Sequence, residues 1–152
     1  MNGKVAFVLL SSAALGTAFA CGPRPRNAET SRVPHARTEA PAKLTPTLDV
    51  HVSDGVNFAF RVTNTGDKKI EVNFASGQTH ELIVVDSAGH EVWRWSRGHL
   101  FTQSLQNHVL RSSDALDWSE TWSDAPRGRY TAIATMASAN FPVEQRAEFT
   151  VR

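Results

Sequence analysis

The fold is decided by the segment Val56-Asn57-Phe58-Ala59-Phe60-Arg61-Val62, in which large apolar side chains occupy every second position. A period of two places Val56, Phe58, Phe60 and Val62 on one face of an extended strand. β-branched and aromatic residues also suit a pleated, half-buried surface better than a helix. The segment therefore predicts a strand with one face in a hydrophobic core and the other in water.

Similar short runs recur on both sides of this segment. They are Leu48–Val52, Ile70–Phe74, Leu82–Val85, Val92–Trp95, Val109–Leu110, Leu116–Trp122, Tyr130–Met136 and Ala147–Val151. Turn residues separate them, for example Ser53-Asp54-Gly55 and Pro126-Arg127-Gly128. Because no window shows a sustained helical period, we predict an all-β protein. Its architecture would be an Ig-like antiparallel β-sandwich of seven to nine strands.

Composition narrows the class of protein. The chain has 152 residues, with 16 Lys and Arg against 15 Asp and Glu, a net charge of +1. This balance lacks the basic excess of a nucleic-acid binder, so no nucleic-acid partner is predicted. A single cysteine excludes an internal disulfide framework and a Cys-rich zinc site.

The N-terminus has the pattern of an export signal. Lys4 is followed by an uncharged run from Val5 to Ala20 that ends in small residues. This run is shorter than the ~20 apolar residues of a transmembrane helix, and it fits a signal peptide at residues 1–20. We therefore expect an exported protein.

The only cysteine, Cys21, follows Ala18-Phe19-Ala20 and precedes Gly22. This arrangement resembles the lipobox of bacterial lipoproteins, in which cleavage precedes a cysteine that is then acylated. The resemblance implies a lipid attached to Cys21 and a membrane anchor on the periplasmic or cell-surface side. Attached acyl chains contribute ~0.8 kcal/mol to membrane binding per buried CH₂, so two or three chains would hold the protein stably at the membrane. The alternative is an ordinary signal-peptidase site that leaves a free thiol.

A proline-rich segment follows Cys21. Residues 22–44 hold five basic and two acidic residues, whereas residues 45–152 hold 10 basic and 13 acidic residues. With few large apolar side chains, such a segment cannot offset its ordering entropy. We expect a lipidated cysteine and disordered linker over residues 21–46 and the β-sandwich domain over residues 47–152. The linker is interpreted as a spacer; contact of its basic residues with an anionic membrane is the alternative.

A family resemblance rests on several motifs. The most distinctive is Trp93-Arg94-Trp95-Ser96 followed by Phe101-Thr102-Gln103, together with Val62–Asp67, Glu81–Gly89 and Gly128–Ala132. Over roughly residues 56–151 the chain resembles the BsuPI-type intracellular proteinase inhibitor domain. The resemblance implies an Ig-like sandwich and inhibition of a serine protease. Two departures are the export signal and the segment Leu110–Asp114, which lacks an expected Pro-Gly turn.

The motif residues also have structural interpretations. Trp93 and Trp95 share one face of a strand, so we expect them, with Phe101, in an aromatic core cluster. An aromatic platform for a peptide or sugar is the alternative. Ser96 begins the loop after the second Trp, and Thr102 and Gln103 are expected to tie that loop to the sheet by hydrogen bonds.

The loop after Trp95 is the candidate inhibitory element. It contains Arg97, Gly98, His99 and Leu100, a polar turn with one apolar residue. A substrate-like inhibitor needs a rigid, exposed loop, because its affinity comes from preorganisation. Arg97 or Leu100 would then fill the specificity pocket of the protease.

Catalytic and metal-binding patterns are weak. None of the six histidines forms the close pairs of a metal site, so we predict no metal and interpret the histidines as surface residues. Convergence of His80, His90 and His99 would be the exception. The chain has no Gly-x-Ser-x-Gly elbow and no phosphate-binding loop, so we predict neither an enzyme nor a cofactor.

Three hypotheses for function remain open. The first is a membrane-tethered, extracytoplasmic domain that binds and inhibits a serine protease. The second is an envelope lipoprotein with a structural or interaction role and another envelope protein as partner, because fold resemblance does not fix function. The third is a carbohydrate-binding sandwich that uses exposed Trp118 or Trp122.

Overall fold

The computed structural model describes residues 43–152, which form nine β-strands and no helix. The strands are β1 (Leu44–Val52), β2 (Val56–Asn64), β3 (Ile70–Phe74), β4 (His80–Asp86), β5 (Glu91–Arg94), β6 (Gln106–Leu110), β7 (Ala115–Trp122), β8 (Gly128–Met136) and β9 (Val143–Val151). The prediction of an all-β protein with seven to nine strands is confirmed.

Within these residues, no helix of the length and hydrophobicity needed to cross a membrane is present.

The strands form three antiparallel sheets. One has the order β1-β2-β7, the second has the order β5-β4-β8-β9, and the third contains only β3 and β6. A bridge between Phe74 and Ser138 joins β3 to the segment that follows β8. The sheets enclose one hydrophobic core, as expected of a β-sandwich.

Strand β2 supplies the centre of that core. Val56, Phe58, Phe60 and Val62 are all buried, as their alternation predicts. They meet Leu82 and Val84 of β4, Ala132, Ala134 and Met136 of β8, and Val72 and Phe74 of β3 in the same cluster. Each fully buried large apolar side chain contributes ~1.5–3 kcal/mol relative to exposure.

The folded domain begins earlier than residue 47. Strand β1 starts at Leu44, which pairs with Asn64 and packs against the core. The Lys43 carbonyl accepts a hydrogen bond from the Thr65 amide at 2.9 Å. Pro46 is tolerated because β1 is an edge strand, where one side of the backbone needs no ladder partner. The signal peptide, Cys21 and most of the expected linker lie outside the described residues.

Asn64 joins three segments at the end of β2. Its side chain is fully buried, and Nδ2 donates to the carbonyls of Lys68, Leu110 and Arg111. The segment Leu110–Asp114 forms a tight turn although it lacks Pro-Gly. Ser113 adopts a φ of 71°, and the Asp114 carboxylate accepts from the Arg111 amide.

Candidate functional site

The candidate loop leaves the sheet through a tight turn. The Trp95 amide donates to the Leu82 carbonyl at 2.9 Å, which extends the β4–β5 ladder by one residue beyond β5. The His99 amide then donates to the Ser96 carbonyl at 3.0 Å, and Gly98 has a φ of 85°. This left-handed conformation favours glycine. We name residues Ser96–Phe101 the tip loop.

The carboxylate of Glu81 fixes the start of the tip loop. It accepts hydrogen bonds from the Ser96 amide at 3.3 Å and from the Ser96 hydroxyl. It also accepts from Arg94 Nη1 at 3.1 Å. Because Glu81 stands on β4, these bonds hold the loop entrance to the centre of a four-stranded sheet.

Arg97 is drawn back toward β5. Its Nη2 donates to Glu91 Oε1 at 2.9 Å, and Arg94 Nη2 donates to Glu91 Oε2 at 2.6 Å. The hydrogen bond from Arg94 is the main reason that the pKa of Glu91 is lowered. The Arg97 side chain is therefore exposed but not free of partners.

A stack of rings fixes the other end of the tip loop. Trp95 stacks on His80, at a centroid distance of 4.0 Å, and on His99, at 4.8 Å. Phe101 packs against Trp95 at 5.5 Å. The His99 ring therefore packs on Trp95, although the residue is exposed.

His80 is the buried member of this stack. It is 4% exposed, and its Nε2 lies 3.0 Å from Glu120 Oε1 on β7. Burial lowers the pKa of His80 to about 4, so the ring is neutral at pH 7 and Nε2–H donates to the carboxylate. Burial raises the pKa of Glu120, and a hydrogen bond from Trp95 opposes that change. The pair connects the tip loop to the β1-β2-β7 sheet.

Leu100 is the residue of the tip loop whose side chain points into solvent. Its side chain is 101% exposed, the most exposed of the large hydrophobic residues in the described part of the chain. The structure thus brings Arg97, Gly98, His99 and Leu100 together in one turn, with Leu100 outward. Arg97 is paired with Glu91, and His99 is stacked on Trp95.

The remaining motif residues separate into core and surface. Trp93 stacks on Phe58 at 5.7 Å and on Trp122 at 6.0 Å, inside the aromatic core. Thr102 is joined through its backbone to the connection between β3 and β4 and not to a strand, because its carbonyl accepts from the Gly77 amide at 2.8 Å. Gln103 is exposed and does not supply the side-chain tie that we expected from the sequence.

No tryptophan forms an exposed platform. Trp122 is 7% exposed, and Trp118 stacks on Phe60 at 5.3 Å while Nε1 donates to Thr79 Oγ1. The carbohydrate hypothesis required one of these two residues to be exposed. The structure removes that basis, because both side chains pack against the core.

Sequence reasoning did not predict the roles of His80, Glu81 and Glu120 at this site. The interpretation of the histidines as surface residues is wrong for His80. Its position shares the parity of Leu82 and Val84, which is the signal that places it on the buried face. Among residues 43–152, no group of three or more His, Cys, Asp or Glu side chains could hold a metal ion.

Most of the described domain matches a known protein family. The family model described as the intracellular proteinase inhibitor BsuPI matches residues 44–141, from the first residue of β1 to the loop before β9. No curated protein matches the chain.

Among solved structures, the chain is similar to a β-glucosidase of Erythrobacter marinus, with 12% identity and a TM-score of 0.37. It is also similar to the GH3 β-glucosidase of Bifidobacterium adolescentis, with 13% identity and a TM-score of 0.39. The matches cover 70% and 72% of this chain but only 15% and 17% of those enzymes. TM-scores this low do not establish a shared fold. The match over residues 44–141 spans more than half of the chain, and the chain therefore belongs to the BsuPI intracellular proteinase inhibitor family.

Proposed function

We propose that the domain inhibits a serine protease by inserting the tip loop into the substrate cleft, with Leu100 in the primary specificity pocket. The observation that carries this proposal is the complete exposure of Leu100 on a loop that is fixed at both ends. Membership in an inhibitor family supports the same activity.

Rigidity is the physical basis of the inhibition. A flexible loop loses conformational freedom when it binds, and this loss reduces affinity. Here the bonds from Ser96 to Glu81 and the packing of His99 and Phe101 on Trp95 order the tip loop before any protease is present. Burying the Leu100 side chain in an apolar pocket then stabilises the complex by ~1.5–3 kcal/mol.

Leu100 suits the pocket better than Arg97 does. To enter an acidic pocket, Arg97 would have to leave Glu91, and the Glu91 carboxylate would lose that partner. Leu100 has no competing contact to lose, since its side chain is fully exposed. The proposal therefore favours proteases with apolar primary pockets over trypsin-like ones.

The test is a titration of the fragment 43–152, which contains every described strand and the whole core. The panel pairs serine proteases that have apolar primary pockets with trypsin-type proteases. We expect inhibition of the first group, and Leu100→Glu should raise the inhibition constant by about tenfold to a hundredfold. Val52→Glu makes the same kind of change at an exposed end of β1 and should leave inhibition unchanged.

Three results would overturn parts of this proposal. Absence of inhibition at micromolar concentrations across the panel would reject protease inhibition and favour a structural or interaction role in the envelope. Inhibition that survives Leu100→Glu but is lost in Arg97→Ala would transfer the pocket role to Arg97. Inhibition that survives both changes would place the reactive segment in another loop.

We also propose that the protein is exported and anchored through a lipid on Cys21, with the domain on the periplasmic or cell-surface side. The support is the uncharged run before Ala20 and the single cysteine that follows it. Proteases outside the cytoplasm would then be the targets, unlike the intracellular ones that the family's name suggests.

A further inference from the structure

Strand β6 differs from the other strands in its side chains. Its sequence is Gln106-Asn107-His108-Val109-Leu110, and it is the only one of the nine described strands without Asp, Glu, Lys or Arg. Natural proteins commonly place charged residues on edge strands to prevent pairing with another chain. Strand β6 lacks this protection, although in residues 43–152 it pairs only with β3.

The backbone of β6 has one side available for pairing. The Asn73 amide donates to Asn140 Oδ1 at 2.9 Å, and the Asn73 carbonyl accepts from the Ala139 amide at 2.8 Å. Both groups thus point away from β6. Asn73 lies opposite Asn107, so this is a pair without mutual hydrogen bonds, and the Asn107 amide and carbonyl face the other side of β6.

The next pair of the same parity, Glu71 and Val109, has the same hydrogen-bonding geometry. The Glu71 carbonyl accepts from Asn140 Nδ2 at 2.7 Å, again on the side of β3 away from β6. Its opposite residue, Val109, therefore also directs its amide and carbonyl to the outer edge. No strand among residues 43–152 occupies that edge.

The exposed side chains on this edge are self-complementary. Leu105 is 79% exposed, Val109 is 55% exposed, and Asn107 between them is also exposed. If two such strands run antiparallel with Asn107 opposite Asn107, each Leu105 lies opposite a Val109 of the other copy. Apolar cross-strand pairs of this kind stabilise a sheet, and the absence of charge means that no like charges meet.

We propose that two copies of the chain pair through β6 in an antiparallel arrangement with a two-fold axis at Asn107. The two Asn107 residues exchange amide-to-carbonyl hydrogen bonds, and β3 and β6 of both copies form one four-stranded sheet. The contact is closed, because each copy uses the same patch. It also extends a two-stranded sheet, which is marginally stable by itself. This proposal does not depend on the proposed inhibition.

The first test is cross-linking of the full-length chain in the expressing cells. Cys21→Ser gives a background without cysteine, since the chain has only one. In that background, Asn107→Cys should give a covalent dimer with a short bismaleimide. The matched control is Thr47→Cys, at an exposed position on the edge strand β1, and it should give much less dimer.

The second test is sedimentation of the fragment 43–152 over a micromolar to near-millimolar range. We expect a monomer–dimer equilibrium, and Asn107→Lys should raise its dissociation constant by at least about tenfold, because two ammonium groups would meet at the axis. Thr47→Lys adds the same charge elsewhere and should leave the equilibrium unchanged. Equal thermal unfolding of Asn107→Lys and the parent at concentrations where the parent is monomeric would show that the fold is retained.

Two outcomes would overturn the proposal. One is a fragment that stays monomeric throughout, with no excess cross-linking at position 107 in the full-length chain. The other is a dimer that Asn107→Lys does not weaken. A fragment that dimerises while the full-length chain does not cross-link would also reject the dimer for the full-length chain.

Discussion

At the scale of single residues, Asn64 is the side chain that forms the most hydrogen bonds to backbone groups among residues 43–152. Its buried amide serves three carbonyls, and its Oδ1 accepts from the Gly66 amide at 3.0 Å. No apolar substitute can satisfy these groups. The Asn64 backbone binds the same β6–β7 turn, because its amide donates to the Asp114 carbonyl and its carbonyl accepts from the Ser113 amide. Its burial follows from the parity of Val62, but its hydrogen bonds are not visible in the sequence.

We therefore predict a large loss of stability for Asn64→Ala. Unsatisfied buried groups cost ~1–3 kcal/mol each, and partial access of water would reduce the sum to about 2–4 kcal/mol. Urea unfolding of the fragment 43–152 measures this change. Asn57→Ala is the matched control, because Asn57 is exposed and makes one side-chain bond, to Thr121; it should cost less than about 1 kcal/mol. Equal losses for the two variants would contradict the prediction.

The neutral, buried ring of His80 should make stability depend on pH. Its folded pKa of about 4 lies below the unfolded value of 6.5, so between these values the unfolded chain binds more protons. Stability from this group is complete above pH 6.5 and falls as the pH drops toward 4, by up to about 3 kcal/mol. The raised pKa of Glu120 offsets part of this loss, because the folded chain takes up a proton there first.

Urea unfolding at about pH 7.5 and about pH 5 tests this dependence. The groups that face the ring are Glu120, Glu81 and His99. His80→Gln keeps a hydrogen-bond donor but cannot titrate, so its stability should change less between the two pH values. An identical change in the variant and the parent would assign the pH dependence to other groups.

At the scale of elements, the turn between β6 and β7 stores local strain. Ser113 is the only residue other than glycine with a positive φ in the described part of the chain. A left-handed conformation costs an ordinary residue ~1–2 kcal/mol, whereas glycine adopts it freely. The turn forms nevertheless, because Asn64 and Asp114 bind its backbone.

Ser113→Gly should accordingly stabilise the domain. We expect a gain of about 1 kcal/mol, reduced somewhat by the greater freedom of glycine in the unfolded chain. Ser112→Gly is the control next to it, since Ser112 has no positive φ to relieve, and it should be neutral or slightly destabilising. Unfolding curves for both variants decide the matter, and a loss of stability in Ser113→Gly would contradict the prediction.

The sequence predicted most of the strands but not how they pair. The alternation at Val56–Val62 was sufficient for β2, because every apolar side chain there is buried on one face. Alternation was insufficient for the start of β1. Pro46 lies in that edge strand, but a proline in the sequence is equally typical of a linker. Alternation also could not reveal the pairing of β3 with β6, which joins segments separated by more than thirty residues.

The tip loop shows the same limit. Its position could be read from the motif Trp93–Gln103, but the outward direction of Leu100 could not. That direction depends on His99 stacking on Trp95, and Trp95 stacks in turn on His80, which is paired with Glu120 of another sheet. Contacts between sheets leave no periodic signal in a single sequence.

At the scale of the whole molecule, the proposed anchor at Cys21 would set where the domain acts. A proline-biased chain rises ~3.1 Å per residue, so the residues between Cys21 and Leu44 would hold the domain up to about 70 Å from the bilayer. Cys21→Ser removes the thiol that would accept the lipid, and we expect the protein to leave the membrane fraction while the core stays intact.

Fractionation of cells followed by immunoblotting tests this prediction. Ser31→Ala, in the same expected linker, is the control and should remain in the membrane fraction. Wild-type protein that is soluble and carries a free thiol at its N-terminus would show that Ala20 ends an ordinary cleavage site.

The stack of His99 on Trp95 also gives the tip loop an optical signature. The His99 ring covers Trp95 at a centroid distance of 4.8 Å. A protease that lifts His99 from Trp95 would replace one neighbour of that indole, so binding should change the fluorescence of Trp95. The chain therefore carries its own reporter of loop occupancy, and no dye needs to be attached to read it.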